Sequence, residues 1–303
     1  MRVTSNQYHS IMIGVSQRAQ SQIADAMVRM ATRQRILRTS DDVIGSVRLA
    51  LLIQQDGARE QYRDNIGKLT SRLQLAESRM TGLGTGLGDV RDLLLWASDG
   101  SKPPQDLPAI AQTLETLRRS LVATANAKDG EGNYLFSGTA IKTQPIQYDE
   151  TKPVGSRYTY AGNDKQQEVI VGDGMTEVAN DNMKEMADLL NKLEHAIETM
   201  NTPGADPNDD AVRAVLVAAL DASDATRNAV DAKIARSGNA RSTLKLFDDM
   251  HQEAQVAGAE AVLDVGQADV AQVYEEYMNY RVALEATQKI YAQVIQMSLF
   301  NVL

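Results

Sequence analysis

From Val270 onward, apolar or small residues recur every three or four positions: Val270, Val273, Tyr277, Tyr280, Leu284, Thr287, Tyr291, Val294, Ser298 and Asn301. Steps that alternate three and four have the period of a helix burying one seam against another helix. No glycine or proline interrupts the run, and the chain stops soon after the repeat does. Tyr8, Met12, Val15, Ala19, Ile23, Ala26 and Met30 make a similar stripe near the other terminus. The spacing predicts a helix over about residues 4–36 and another over about 270–303, each roughly 45–50 Å long at about 1.5 Å per residue. The two are expected to pair as an antiparallel hairpin. Several seam positions are Ala, Thr, Ser or Asn, whereas a large buried aliphatic contributes ~1.5–3 kcal/mol. The seam is therefore thin for its length, and its faces are expected to order fully only against further helices.

Between these ends the period changes twice. A polar bend at 33–42 closes on Ser40-Asp41-Asp42, residues suited to capping the next helix. That helix carries Ile44, Val47, Leu51, Ala58, Tyr62, Ile66, Leu69, Leu73, Ala76 and Met80, then meets Gly82, Gly84, Gly86 and Gly88. At ~1 kcal/mol per interior glycine, the run is expected to be a weak point or bend before the pattern resumes at Val90–Trp96. After Pro103-Pro104 a third helix places Ile110, Leu114, Leu117 and Leu121 on one face. Strand and turn signals then fill 139–182, around Tyr148, Tyr158-Thr159-Tyr160 and Glu168–Val171. Helical spacing returns from Met183 to Met200. It resumes after the Pro203–Asp210 turn, whose last Asp is expected to cap a helix running from Val212 to about Ala257.

The expected fold is mainly α: long antiparallel helices from both chain ends form a coiled coil or bundle, with a small β-rich insertion. Three segments follow: terminal helices at 1–40 and 265–303, a rod-like helical part at 41–138 and 183–264, and the β-rich part at 139–182. The bends between them are placed at Asp41, Asp42, Gly130, Gly132 and Gly138.

Composition narrows the chemistry. One Trp and three Phe in 303 residues suit alanine-rich helix packing better than a large globular core. A net charge of −9 argues against nucleic acid as a partner. No run of 18 apolar residues suggests a membrane span, and the start has no apolar stretch of the secretory kind. Zero cysteines exclude disulfides, thiol catalysis and thiolate metal sites. The glycine run lacks the register of a phosphate cradle, and no strand leads into it. His9, His195 and His251 lack partners at metal-ligand spacing. The pairs Asp41-Asp42, Asp209-Asp210 and Asp248-Asp249 are read as caps for the first two and a solvated face for the third, since helix neighbours do not face one another. No nucleophile elbow is present. No enzyme, cofactor or metal site is expected. The candidate sites are surfaces: Tyr8, Met12, Val15, Ala19, Ile23 and Met30 on the first helix, and Val273, Tyr277, Tyr280, Leu284, Tyr291, Val294, Leu299 and Leu303 on the last.

Four stretches resemble the bacterial flagellin superfamily, and within it the hook–filament junction family, the hook-associated proteins 3. They are the opening Met1-Arg2-Val3-Thr4 with Tyr8; Thr39-Ser40-Asp41-Asp42 followed by Asn65, Leu69 and Leu73; Ala125-Asn126 with Asp129–Gly138; and the close from Ala283 through Ser298–Leu303. The Leu-Leu-Arg-like tail of flagellins is absent. The chain departs from the family at Arg33, where relatives usually have glycine, and at Val43, where they usually have proline. The resemblance implies a secreted structural subunit in a closed ring of about eleven copies, with hook-associated protein 1 on the hook side and flagellin on the filament side. Terminal helices would line an inner tube, and the β-rich part would face outward. It also implies export through the flagellar type III apparatus, guided by an uncleaved N-terminal region and a chaperone that covers the last helix. Flagellin itself is the alternative, and a secreted coiled-coil protein is a more distant one.

Overall fold

The computed structural model describes residues 2–101 and 103–300, with side chains for 7–101 and 103–295. The order is α1 (Arg2–Thr32), α2 (Val43–Ala97), a 3-10 turn at Pro104–Asp106, α3 (Leu107–Ala125), β1 (Ile146–Tyr148), β2 (Tyr158–Tyr160), β3 (Glu168–Gly172), β4 (Met175–Val178), α4 (Glu185–Asn201), α5 (Asp210–Gly266) and α6 (Val270–Phe300). The protein is mainly α with a small β part. It divides into two compact units, 1–59 with 252–303, and 60–251.

In the 60–251 unit, α2 buries Ile66, Leu69, Leu73, Ala76, Met80, Leu83, Leu87, Val90, Leu94 and Ala97, again at steps of three and four. The helix is continuous through Gly82–Gly88, so the glycine run does not interrupt it. Leu83 and Leu87 lie between these glycines and are wholly buried. Two such side chains offset the glycine penalty. Gly86 also admits α3, since a Cβ there would lie 3.2 Å from Leu121. Ile110, Leu114 and Leu121 of α3, Met186, Leu189, Leu190 and Leu193 of α4, and Leu216 and Val230 of α5 complete the cluster.

The β part makes two antiparallel two-stranded sheets, β1 with β2 and β3 with β4. Ile146 pairs with Tyr160 and Tyr148 with Tyr158. The strand Met175–Val178 was not expected. It is short and half polar, and it follows the tight Asp173-Gly174 turn in which Gly174 takes φ 67°. Phe136, Ile146 and Tyr158 bury into the helical cluster, while Val171 and Ala179 pack with Ile66, Leu69, Leu73 and Leu244. The insertion thus shares the helices' cores.

Two asparagines finish the β1/β2 edges. The Asn126 amide donates to the carbonyl of Ile146 at 3.0 Å and accepts its N–H at 2.9 Å. Asn191 does the same for Tyr158 at 2.8 Å in both directions. Each amide stands in for one residue of a further strand and satisfies an open edge. Tyr160, half-buried, directs its hydroxyl to the carbonyls of Phe136 and Asn163. Burial first, then Asp164 and Glu185, push its pKa up to about 12.

Three local expectations are corrected. Asp209, not Asp210, caps α5, accepting the N–H of Ala211 at 2.9 Å. That helix continues through Gly238 and Gly258 to Gly266 rather than ending near 257. Asp248 is not merely solvated: it pairs with Arg63 at 2.7 Å.

Candidate assembly surface

The 1–59/252–303 unit is built around α1 and α6. Ala26 packs with Ala268 and Val273, with Met30 and Tyr277 beside them. Arg29 pairs with Glu276 at 3.3 Å. Toward the other end the Tyr291 hydroxyl meets the His9 imidazole, the rings 5.2 Å apart. Low numbers on α1 meet high numbers on α6, so the pair is antiparallel.

The candidate residues fall mostly on this seam. Ala19 and Val273 are buried, and Tyr8, Met12, Ile23, Met30, Tyr277, Tyr280, Leu284, Tyr291 and Val294 are half-buried. Val15 does not join them at 38% exposure, because a two-helix seam covers each stripe from one side only. The Leu299 side chain and Leu303 lie outside the described residues. The buried members of the seam, Ala19, Ala26, Ala268 and Val273, are small.

What the seam leaves uncovered is larger. Ile11, Ile13, Met27 and Val28 on α1, and Tyr274, Val282 and Ile290 on α6, are exposed. The stripe that opens α2 stays outside as well: Ile44 is 84% exposed, with Val47 and Leu51 beyond half. Scattered apolar residues at a surface are ordinary, but Ile44, Val47 and Leu51 repeat at helical spacing along one face of α2.

The bend residues have separate tasks. Asp42 Oδ1 accepts the Gly45 N–H at 2.8 Å and caps α2. That bond, with Arg35, holds its carboxyl below the usual range. A Cβ at Gly45 would come within 3 Å of the Asp42 carboxyl and the tip of Ile36, so a larger residue there would displace the capping side chain. Asp41 accepts the N–H groups of Leu37 and Arg38 and closes the turn. Farther on, Asp129 Oδ1 accepts the N–H groups of Glu131 and Asn133, both at 2.9 Å. Burial raises its pKa, and the backbone bonds from Asn133 and Glu131 more than offset this, leaving it lowered. Gly130 and Gly132 are exposed in this loop, Gly132 at φ 79°. Gly138 has φ 68°, and a Cβ on it would strike the carbonyl of Asn163.

Sequence reasoning missed two features. Glu194 is buried against Arg118 at 3.1 Å and Arg157 at 3.5 Å, with the Tyr148 hydroxyl at 3.4 Å. The other is a short bridge between Gln34 and Gln267. Its one visible trace was Arg33 standing at a glycine position, and Arg33 does adopt φ 57°. Among the described residues no three or more His, Cys, Asp or Glu side chains converge as a metal site. No described helix is long and apolar enough to cross a membrane.

Residues 3–141 match the family described as the bacterial flagellin N-terminal helical region. The chain is 25% identical over 288 residues to flagellar hook-associated protein 3 of Escherichia coli, covering 90% of each. It is 23% identical over 319 residues to that of Salmonella typhimurium, covering 99% of each. A solved flagellar hook-associated protein from Vibrio parahaemolyticus superposes with a TM-score of 0.66 at 27% identity, over 75% of this chain and 100% of that one. Helical ends around a β insertion, the exit loop from Asp129 to Gly138 and these similarities agree: over nearly its whole length the chain is similar to flagellar hook-associated proteins 3, and its first half matches the flagellin N-terminal helical region.

Proposed function

We propose that this protein is a structural subunit of the bacterial flagellum, forming the junction between hook and filament through its terminal helices. One observation carries the reading: α1 and α6 share a thin seam of Ala, Val and Tyr while keeping apolar side chains exposed on their outer faces. A two-helix pair of that make is marginal alone and gains from burial among further copies. A closed ring of about eleven is the form expected of such head-to-tail contacts in this family. Hook-associated protein 1 and flagellin are its axial neighbours in this reading. Export through the flagellar type III apparatus, with a chaperone over α6, precedes assembly. The site acts by packing and performs no catalysis.

The experiment is limited proteolysis of the purified full chain before and after incorporation into flagella. Cleavage is expected first within 1–40 and 265–303, leaving a stable middle, and incorporation should protect both ends. Ends that resist the protease in the free chain would sink the reading. Flagellin, the alternative, would extend long filaments when polymerised, whereas a junction subunit stops at a ring.

A further inference from the structure

Both chain connections to the α1/α6 pair, 33–42 and 267–269, meet in the antiparallel bridge of Gln34 with Gln267. The Arg35 N–H donates to the Gly266 carbonyl at 2.7 Å, and the Ala268 N–H to the Arg33 carbonyl at 2.9 Å. The Arg35 guanidinium reinforces them. Its Nε and Nη2 donate to the Val265 carbonyl at 3.0 and 2.8 Å, and Nη2 also reaches Asp42 Oδ2 at 3.0 Å. Val265 lies in the last turn of α5, where carbonyls lack helical partners and a cation is favoured. Asp42 caps α2 with its other oxygen. One side chain therefore ties the end of α5 to the start of α2.

Arg33 opposes this arrangement. It sits in the bridge at φ 57°, a left-handed conformation that strains any residue with a Cβ. Strain of this kind persists only where the surroundings enforce it, and it gathers at elements with two states. We propose that residues 33–35 and 265–268 form a strained latch, held by Arg35 and opposed by Arg33, which sets whether the two connections to the α1/α6 pair are closed on each other or part. The latch is intramolecular and stands apart from the assembly reading.

The absence of native cysteine makes a clean reporter possible. Gln34 and Gln267 are exposed, and opposed residues of an antiparallel pair have Cα atoms about 4.5–5.5 Å apart, within disulfide reach. The full chain carrying Gln34→Cys and Gln267→Cys is oxidised with excess oxidised glutathione, and the intramolecular crosslink is followed on non-reducing gels. Crosslinking samples the closed fraction, as proteolysis samples the open one. Arg35→Ala is expected to slow it about tenfold. Arg35→Lys, which keeps the charge without the fork, should slow it about threefold. Adding Arg33→Gly to Arg35→Ala should restore at least threefold, an opposite sign that simple unfolding would not give. A parent pair that crosslinks no faster than in strong denaturant overturns the latch. So does an Arg35 variant without effect, or a glycine at 33 that slows closure further.

Discussion

Asn191 uses both ends of its amide on one residue, Tyr158, and Asn126 does the same for Ile146. Truncation leaves a part-buried N–H and C=O without partners, at about 1–3 kcal/mol each. Asn191→Ala is therefore expected to lower the unfolding free energy by about 2–4 kcal/mol in urea titration. Glu194 poses a different problem: its removal takes one of two carboxylates from Arg118, which keeps Glu115, and leaves Arg157 only the Lys152 carbonyl and the Tyr148 hydroxyl. Glu194→Ala should cost about 1–3 kcal/mol, the penalty for the charge-assisted bonds it removes. Arg119→Ala, at the exposed end of the pair with Glu115, should stay within about 0.5 kcal/mol. Asp129 predicts a pH effect. Its folded pKa lies below its unfolded one, so its stabilisation is full above about pH 4 and is lost as pH falls through the folded value. Hydrogen exchange in 129–138 should accelerate below that point, and Asp129→Asn should flatten the change. At this scale the sequence was partly legible. Asn126 stood out within a motif and Asp42 as a cap, whereas Asp41 closes the turn before it. Glu194 and Arg118 are 76 positions apart, and no spacing rule connects them.

A helix stripe records which face is apolar but not what covers it. The stripe of α2 keeps one period from Ile44 to Ala97, yet Ile66 onward is buried and Ile44, Val47 and Leu51 lie open. The consequence is testable by pairing two truncations. Leu87→Ala is expected to destabilise the free chain by about 2–5 kcal/mol. Leu51→Ala, half exposed, should leave the free chain within about 0.5 kcal/mol and show its effect in the amount of protein retained in flagella. The glycine run shows the converse weakness of local reasoning. Gly82 to Gly88 argued for a weak point or bend on propensity, yet the helix is continuous there and the leucines between them are buried. The strand Met175–Val178 escaped notice because four half-polar residues carry little pattern, although the Asp173-Gly174 turn before them was readable.

For the molecule as a whole, periodicity gave the two helical ends and the returning helices, and the change of composition near 129 gave the insertion. The division between the two compact units falls inside α2 and α5, where an unbroken stripe offers no punctuation to read. Deleting 139–182 should do more than trim a surface. Ile146, Tyr158, Val171 and Ala179 would leave both clusters of the 60–251 unit, so the deletion is expected to lower its thermal midpoint sharply in a melting scan. The α1/α6 seam also has a bearing on time. Ala26 finds its partner at Val273, and a ribosome adding about 5–20 residues per second takes roughly 12–50 s to travel that far. For all of that interval the first thirty residues are made and their mate is not. Whatever reads the beginning of this chain as an open, unpaired segment has roughly 12–50 s in which to do so.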